Sequence, residues 1–186
     1  MIEVKISGRG GQGAVLASQI LAAAFFETGM WVQSFPSFGA ERRGAPVSAF
    51  LRADRDEITL RCGVQHPDWL VLFDPNLLDN PLITGGAGEK TSIVMNCFQH
   101  HSKALPFSYR NLFKIDATAI AEGLNLKTTS FSIVNTAMVG AFAGASGLLE
   151  IHRLVNIIRD LAPIKKEENA AAARQAFQTV QEISDG

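Results

Sequence analysis

The chain has 186 residues, 47% of them apolar and 19% charged, and a formal net charge of −1. A chain of this size buries roughly 70% of its unfolded surface as one domain. The composition excludes a disordered chain and the broad positive field of a nucleic-acid or anionic-membrane binder.

The opening Met1-Ile2-Glu3-Val4-Lys5 enters a strand with no basic segment followed by an apolar one, so no secretory leader is expected. Two lone cysteines, Cys62 and Cys97, fit a reducing, cytoplasmic setting. They are too few for a four-thiolate iron–sulfur site or a Cys-x-x-Cys zinc clamp. Val4-Lys5-Ile6-Ser7 reads as the first strand, and a glycine run follows it. Ala14 to Glu27, mostly apolar and small, reads as a helix closed by Gly29. Trp31-Val32-Gln33-Ser34-Phe35 is a second strand. Together these make strand, crossover helix and strand in about 35 residues, the minimal βαβ unit.

Val47-Ser48-Ala49-Phe50-Leu51-Arg52 alternates as a strand, and Asp54-Arg55-Asp56 reads as a turn into a short strand at Ile58-Thr59-Leu60. Trp69-Leu70-Val71-Leu72-Phe73 is a nearly continuous apolar run, the pattern of a strand buried on both faces. The segment from Gly85 to Ser92 imitates a P-loop. It has Glu89 where glycine must precede the lysine, and it comes before a strand, so it reads as a turn. Ser92-Ile93-Val94-Met95-Asn96 and Leu112-Phe113-Lys114-Ile115-Asp116 are further strands, the second followed by a helix from Ala117.

Phe131 to Leu149 carries no charge, yet its Ser, Asn and Thr residues and the Gly140/Gly144 pair fit a helix buried in a globular core. Glu150 to Leu161 and Lys166 to Ile183 read as amphipathic helices separated by Pro163. This alternation predicts one α/β domain over 1–186, with a doubly wound, mainly parallel sheet flanked by helices in a Rossmann-like three-layer arrangement.

Gly8, Gly10 and Gly13 satisfy G-x-G-x-x-G between a strand and a helix. Glycines admit positive φ and leave no Cβ to keep a ligand away, and the helix N-terminus offers free N–H groups to an anion. A dinucleotide site also needs an acidic residue near the end of the second strand. That region reads Gln33-Ser34-Phe35-Pro36-Ser37, with none. Three readings stay open: a dinucleotide, another anion or polar group, or a tight turn that only packs.

The loop from Pro36 to Pro46 follows the second strand, where doubly wound sheets place ligands. It sets Arg42 and Arg43 in a Gly/Pro frame beside Glu41. Two guanidinium groups held this way suit phosphate or a partner's carboxylates, and an exposed loop paired with Glu41 is the plain alternative. His66, His100, His101 and His152 show no metal-binding spacing, and neither cysteine has a base beside it in sequence. The chain is expected to supply binding and architecture, with no catalytic group and no metal site.

Gly8-Arg9-Gly10-Gly11-Gln12-Gly13, the Ser34-Phe35-Pro36-Ser37-Phe38-Gly39 loop with Glu41-Arg42-Arg43-Gly44-Ala45-Pro46-Val47, Asp116-Ala117-Thr118 and Asn135-Thr136-Ala137-Met138-Val139-Gly140-Ala141-Phe142 closely resemble the γ subunit of 2-oxoacid:ferredoxin oxidoreductases. The resemblance spans nearly the whole chain. It implies a complex that oxidatively decarboxylates a 2-oxoacid on thiamine diphosphate, transfers the acyl group to coenzyme A and passes electrons through iron–sulfur clusters to ferredoxin.

On the same resemblance, thiamine diphosphate belongs mainly to the α and β subunits and the clusters to β and δ. The γ subunit then holds no cofactor alone and is inactive alone. Its partners are the α, β and δ subunits, with ferredoxin and coenzyme A reached through the complex, and no nucleic acid or membrane. The binding positions it implies are Gly8, Arg9, Gly10, Gly11, Gln12, Gly13, Ser37, Arg42 and Arg43, facing coenzyme A or a partner subunit. The Arg-Arg-Gly-Ala-Pro form of the loop resembles the pyruvate or branched-chain type. The alternatives are the small subunit of an indolepyruvate oxidoreductase and a stand-alone nucleotide-binding regulatory domain.

Overall fold

The computed structural model describes residues 1–37, 44–97, 105–129 and 131–183. Its strands are β1 (Ile2–Arg9), β2 (Trp31–Pro36), β3 (Pro46–Asp54), β4 (Trp69–Leu72), β5 (Ser92–Asn96), β6 (Asn111–Ile115) and β7 (Gln181–Ile183). Its helices are α1 (Ala14–Glu27), α2 (Pro81–Thr84), α3 (Ala117–Gly123), α4 (Asn135–Ser146), α5 (Ile151–Leu161) and α6 (Lys166–Thr179). The strands form one sheet in the order β2-β3-β1-β4-β5-β6-β7.

β1, β4, β5 and β6 run parallel, and β2 shares their direction because it is antiparallel to β3, itself antiparallel to β1. Only β3 and β7 run the other way, so the sheet is mainly parallel as expected. The first unit differs from a minimal βαβ. β3 inserts between β1 and β2, with Val4 opposite Leu51 and Leu51 opposite Ser34. Local pattern cannot report this, because strand order is fixed by long-range pairing.

The two faces of the sheet are covered unequally. Val4, Ile6, Val71, Phe73, Val94 and Ile115 pack under α1 and α3 to α6. Leu70, Leu72, Ile93, Met95 and Leu112 pack under α2 and the 3-10 turn Pro75–Leu77. α4 is buried along its length from Asn135 to Ala143. It lies so close to α6 that a Cβ on Gly140 would stand 2.1 Å from Ala173 O. This is the use of the Gly140/Gly144 pair. Among the described residues no helix is long and apolar enough to cross a membrane.

Two expectations are corrected. Ile58, Thr59 and Leu60 do not form a strand. Side chains hold that region instead: Gln33 Nε2 donates to Leu60 O (2.8 Å), and the buried Arg52 donates to Cys62 O (2.7 Å) and Gly63 O (3.2 Å). The last helix stops at Thr179, and Gln181–Ile183 returns to the sheet beside β6. The Gly85 to Gly88 segment is a turn, as read. Gly86 packs there directly on the Gln65 carbonyl.

Candidate functional site

From β1 the chain crosses to β2 on one side, and from β3 it passes to β4 on the other. The carboxyl ends of β1 and β4 therefore flank the switch point, where sheets of this kind bind ligands. The glycine turn leaves β1 at that point. Its interior is filled by the protein. Gln12, almost fully buried, accepts from Arg9 N through Oε1 (2.7 Å), and its own N donates to Arg9 O (3.0 Å). A Cβ on Gly8 would lie 2.9 Å from both Gln12 Oε1 and Phe73 Cβ. Gly13 caps α1 with φ 87, and a Cβ there would meet Asn135 Nδ2 at 2.6 Å.

Three of the six turn residues thus serve close packing. Gly10 and Gly11 remain toward the outside. Gly10 N donates to Ala45 O (2.9 Å), and Gly44 N donates to Gly10 O (3.2 Å). The turn and the base of the loop are therefore one hydrogen-bonded unit, an extension of the β1–β3 ladder. Gly11 is exposed, with the Phe131 ring over it.

Arg9 does not point freely into the crevice. Its Nε donates to Asp74 Oδ2 at the end of β4, and Nη1 donates to Gly44 O (3.2 Å). Asp74 is buried, and its other oxygen accepts from Asn76 N (2.9 Å), capping the 3-10 turn. Ser37 continues the β2–β3 ladder, its N donating to Ser48 O (2.8 Å), on the rung that leads to Ser7. It lies two strands away from the glycine turn. Arg42 and Arg43 fall outside the described residues.

Sequence reasoning missed Asp74, Phe131 and Asn135 as neighbours of the turn. Asp74-Pro75 at the end of a buried strand signals a cap, and Asn135 opens a helix. Neither signal says what lies across the sheet. Among the described residues no group of three or more His, Cys, Asp and Glu side chains could hold a metal ion. Both cysteines are free of disulfides. Cys62 Sγ lies 3.8 Å from Arg52 Nη2, and His152 lies 3.1 Å from Glu150. His100 and His101 lie outside the described residues.

Fold and site define an α/β domain whose glycine turn is tied to a neighbouring loop at the switch point. The chain belongs to the pyruvate ferredoxin/flavodoxin oxidoreductase family, whose model matches residues 3–179. It is 44% identical over 184 residues to pyruvate synthase subunit PorC of Methanothermobacter thermautotrophicus, covering 98% of each chain. It is 43% identical over 185 residues to the pyruvate/ketoisovalerate oxidoreductases common subunit gamma of Pyrococcus abyssi, covering 97% of this chain and 98% of that one. The crystal structure of pyruvate oxidoreductase subunit PORC from Thermotoga maritima superposes with a TM-score of 0.79 at 32% identity, covering 98% of both chains.

Proposed function

We propose that this chain is the γ subunit of a pyruvate-type 2-oxoacid:ferredoxin oxidoreductase, and that it contributes binding and architecture to the CoA-dependent oxidative decarboxylation of a 2-oxoacid. Relatives named as γ or PorC subunits match it from end to end. They favour this reading over an indolepyruvate small subunit or a stand-alone nucleotide-binding domain. Thiamine diphosphate and the iron–sulfur clusters reside on α, β and δ partners, and ferredoxin receives the electrons. The complex works in the cytoplasm.

One observation carries the assignment of the working edge. The glycine turn and the base of the Arg42-Arg43 loop are joined through Gly10, Gly44 and Ala45, with Arg9 bracing Gly44 O. Ser37 stands at the other root of the same loop. Arg42 and Arg43 pair with coenzyme A phosphates or with partner carboxylates, as guanidinium groups do.

The test is reconstitution of the complex with Arg42→Glu and Arg43→Glu together. Assembly is impaired, or the KM for coenzyme A rises about tenfold or more, the cost of losing charge-assisted hydrogen bonds. Unchanged assembly together with unchanged kinetics overturns the assignment. Calorimetry of the free chain with NAD, FAD and ATP addresses the nucleotide-binding alternative, which requires sub-micromolar binding of a dinucleotide.

A further inference from the structure

β2 stands at one edge of the sheet, bonded to β3 alone. Its ladder is fixed by Ser37, whose N donates to Ser48 O at 2.8 Å, with Pro36 opposite Ala49 in the same register. Antiparallel rungs alternate, so Phe35, Gln33 and Trp31 also turn their N–H and C=O groups to β3, and Val32, Ser34 and Pro36 turn theirs outward. Among the described residues no backbone group meets the outward N–H groups of Val32 and Ser34. Pro36 has no N–H to leave unpaired.

Sheet edges are normally blunted by shortness, charge or a bulge. The opposite edge follows that rule: β7 has three residues and carries Glu182. β2 has six residues, none of them charged, and pairs with β3 residue for residue without a bulge. Ser34 Oγ donates to Ser18 Oγ of α1, so the side chains of Val32 and Ser34 face that helix. Trp31, Gln33 and Phe35 lie on the other face. Trp31 is 55% exposed there, and Leu60, held through its carbonyl by Gln33, is 43% exposed.

We infer that β2 is a self-association edge, to which a second copy of this chain adds its own β2, antiparallel about a two-fold axis at Gln33. This register sets Val32 of one copy opposite Ser34 of the other, so each outward N–H meets an outward carbonyl. An axis at Ser34 would set Val32 against Pro36, which lacks the N–H. In the Gln33 register Trp31 faces Phe35 of the other copy, an aromatic pair on the face that Leu60 also lines. A two-fold contact brings like side chains together at its axis, where a charge would repel its own image. The charge-free strand meets that condition, which a strand of a different protein would not impose. None of the paired residues, Trp31 to Phe35, is assigned to coenzyme A or to another subunit.

The test measures the mass of the full chain by sedimentation up to about 100 μM, where a dimer of micromolar Kd is mostly formed. Wild type is a dimer. Trp31→Lys, at an exposed position, keeps the wild-type Tm and weakens the dimer at least about tenfold. In a Cys62→Ser background, Gln33→Cys forms a disulfide between copies on mild oxidation, because facing residues at such a rung have Cα atoms about 4.5 Å apart, within disulfide reach. Arg52 keeps Glu3 and the Cys62 carbonyl when Gln33 is replaced, which preserves the fold. Glu89→Cys in the same background, exposed in the turn before β5, is the control and links far more slowly.

A monomeric wild type overturns the inference, as when a strand of a different subunit takes this edge. So does a dimer that Trp31→Lys leaves intact, or one in which Gln33→Cys links no faster than Glu89→Cys. Failure here leaves the Arg42/Arg43 assembly test standing, and failure of that test leaves this one standing.

Discussion

Arg9 and Asp74 pair across the crevice between the carboxyl ends of β1 and β4, the Arg9 Nε donating to Asp74 Oδ2. In sheets of this topology that crevice is the usual ligand entrance. Here the protein's own ion pair spans it. The accessible part of the site moves outward, to the exposed Gly11 and the loop base at Gly44.

The pair predicts a graded stability response. Asp74→Asn keeps the shape and the cap on Asn76 N but removes the charge facing Arg9. Arg9 is 33% exposed, so water takes up part of the loss. The expected cost is about 1–2 kcal/mol. Asp74→Ala also removes the cap and costs about 1 kcal/mol more. Urea midpoints that fall in this order, with unchanged slopes, check the pair.

Gly13 and Gly29 separate backbone strain from crowding. Both have positive φ, 87 and 84. Alanine at Gly29 meets nothing within 4 Å, so Gly29→Ala costs only the left-handed backbone penalty, about 1 kcal/mol. Alanine at Gly13 adds a collision with Asn135, and Gly13→Ala costs about 2–4 kcal/mol. Equal melting temperatures for the two variants would contradict the contact.

Gly140 sets a helix preference against a packing contact. In an isolated helix Gly→Ala gains about 1 kcal/mol. Here the new methyl would press on Ala173 O at 2.1 Å, and the backbone of α6 has to move. Overpacking of this kind costs about 3 kcal/mol or more and decides the sign. Gly140→Ala should therefore melt lower than wild type, while Gly123→Ala, with open space around it, should not.

Much of this was legible in the sequence wherever local pattern governs. The span of α1, the buried runs of β4 and β5, and the glycine turn all follow from apolar spacing and glycine placement. What decides the rest lies far along the chain. β3 enters between β1 and β2, and its Leu51 and Ala53 join the same core face as Val4 and Ile6. Val180 and Ile183 extend the helical spacing of α6, so the turn into β7 left no mark in the periodicity. At the site, the partners of Arg9 stand 65 and 35 residues away, at Asp74 and Gly44. A motif names the turn, and the fold chooses what the turn touches.

Lys5 predicts a dependence on pH. It lies in β1 between Phe50 and Leu70, is 5% exposed, and its Nζ donates to Leu82 O at 2.9 Å. Burial strips water from the ammonium and lowers its pKa from 10.5. The unfolded chain therefore holds this proton more tightly than the folded one. The penalty is fully present below the folded pKa and is relieved as the pH rises from there towards 10.5. Stability from this group should rise through that alkaline window. Lys5→Met fills the same space without the charge, and Leu82, itself exposed, leaves its carbonyl to water. The variant should be more stable at pH 7, by on the order of 1 kcal/mol, and should lack the alkaline rise. Urea titrations at pH 7 and pH 10 decide it: a less stable variant would show that the Leu82 contact outweighs the burial of the charge, and a variant that keeps the alkaline rise would show that another group causes it.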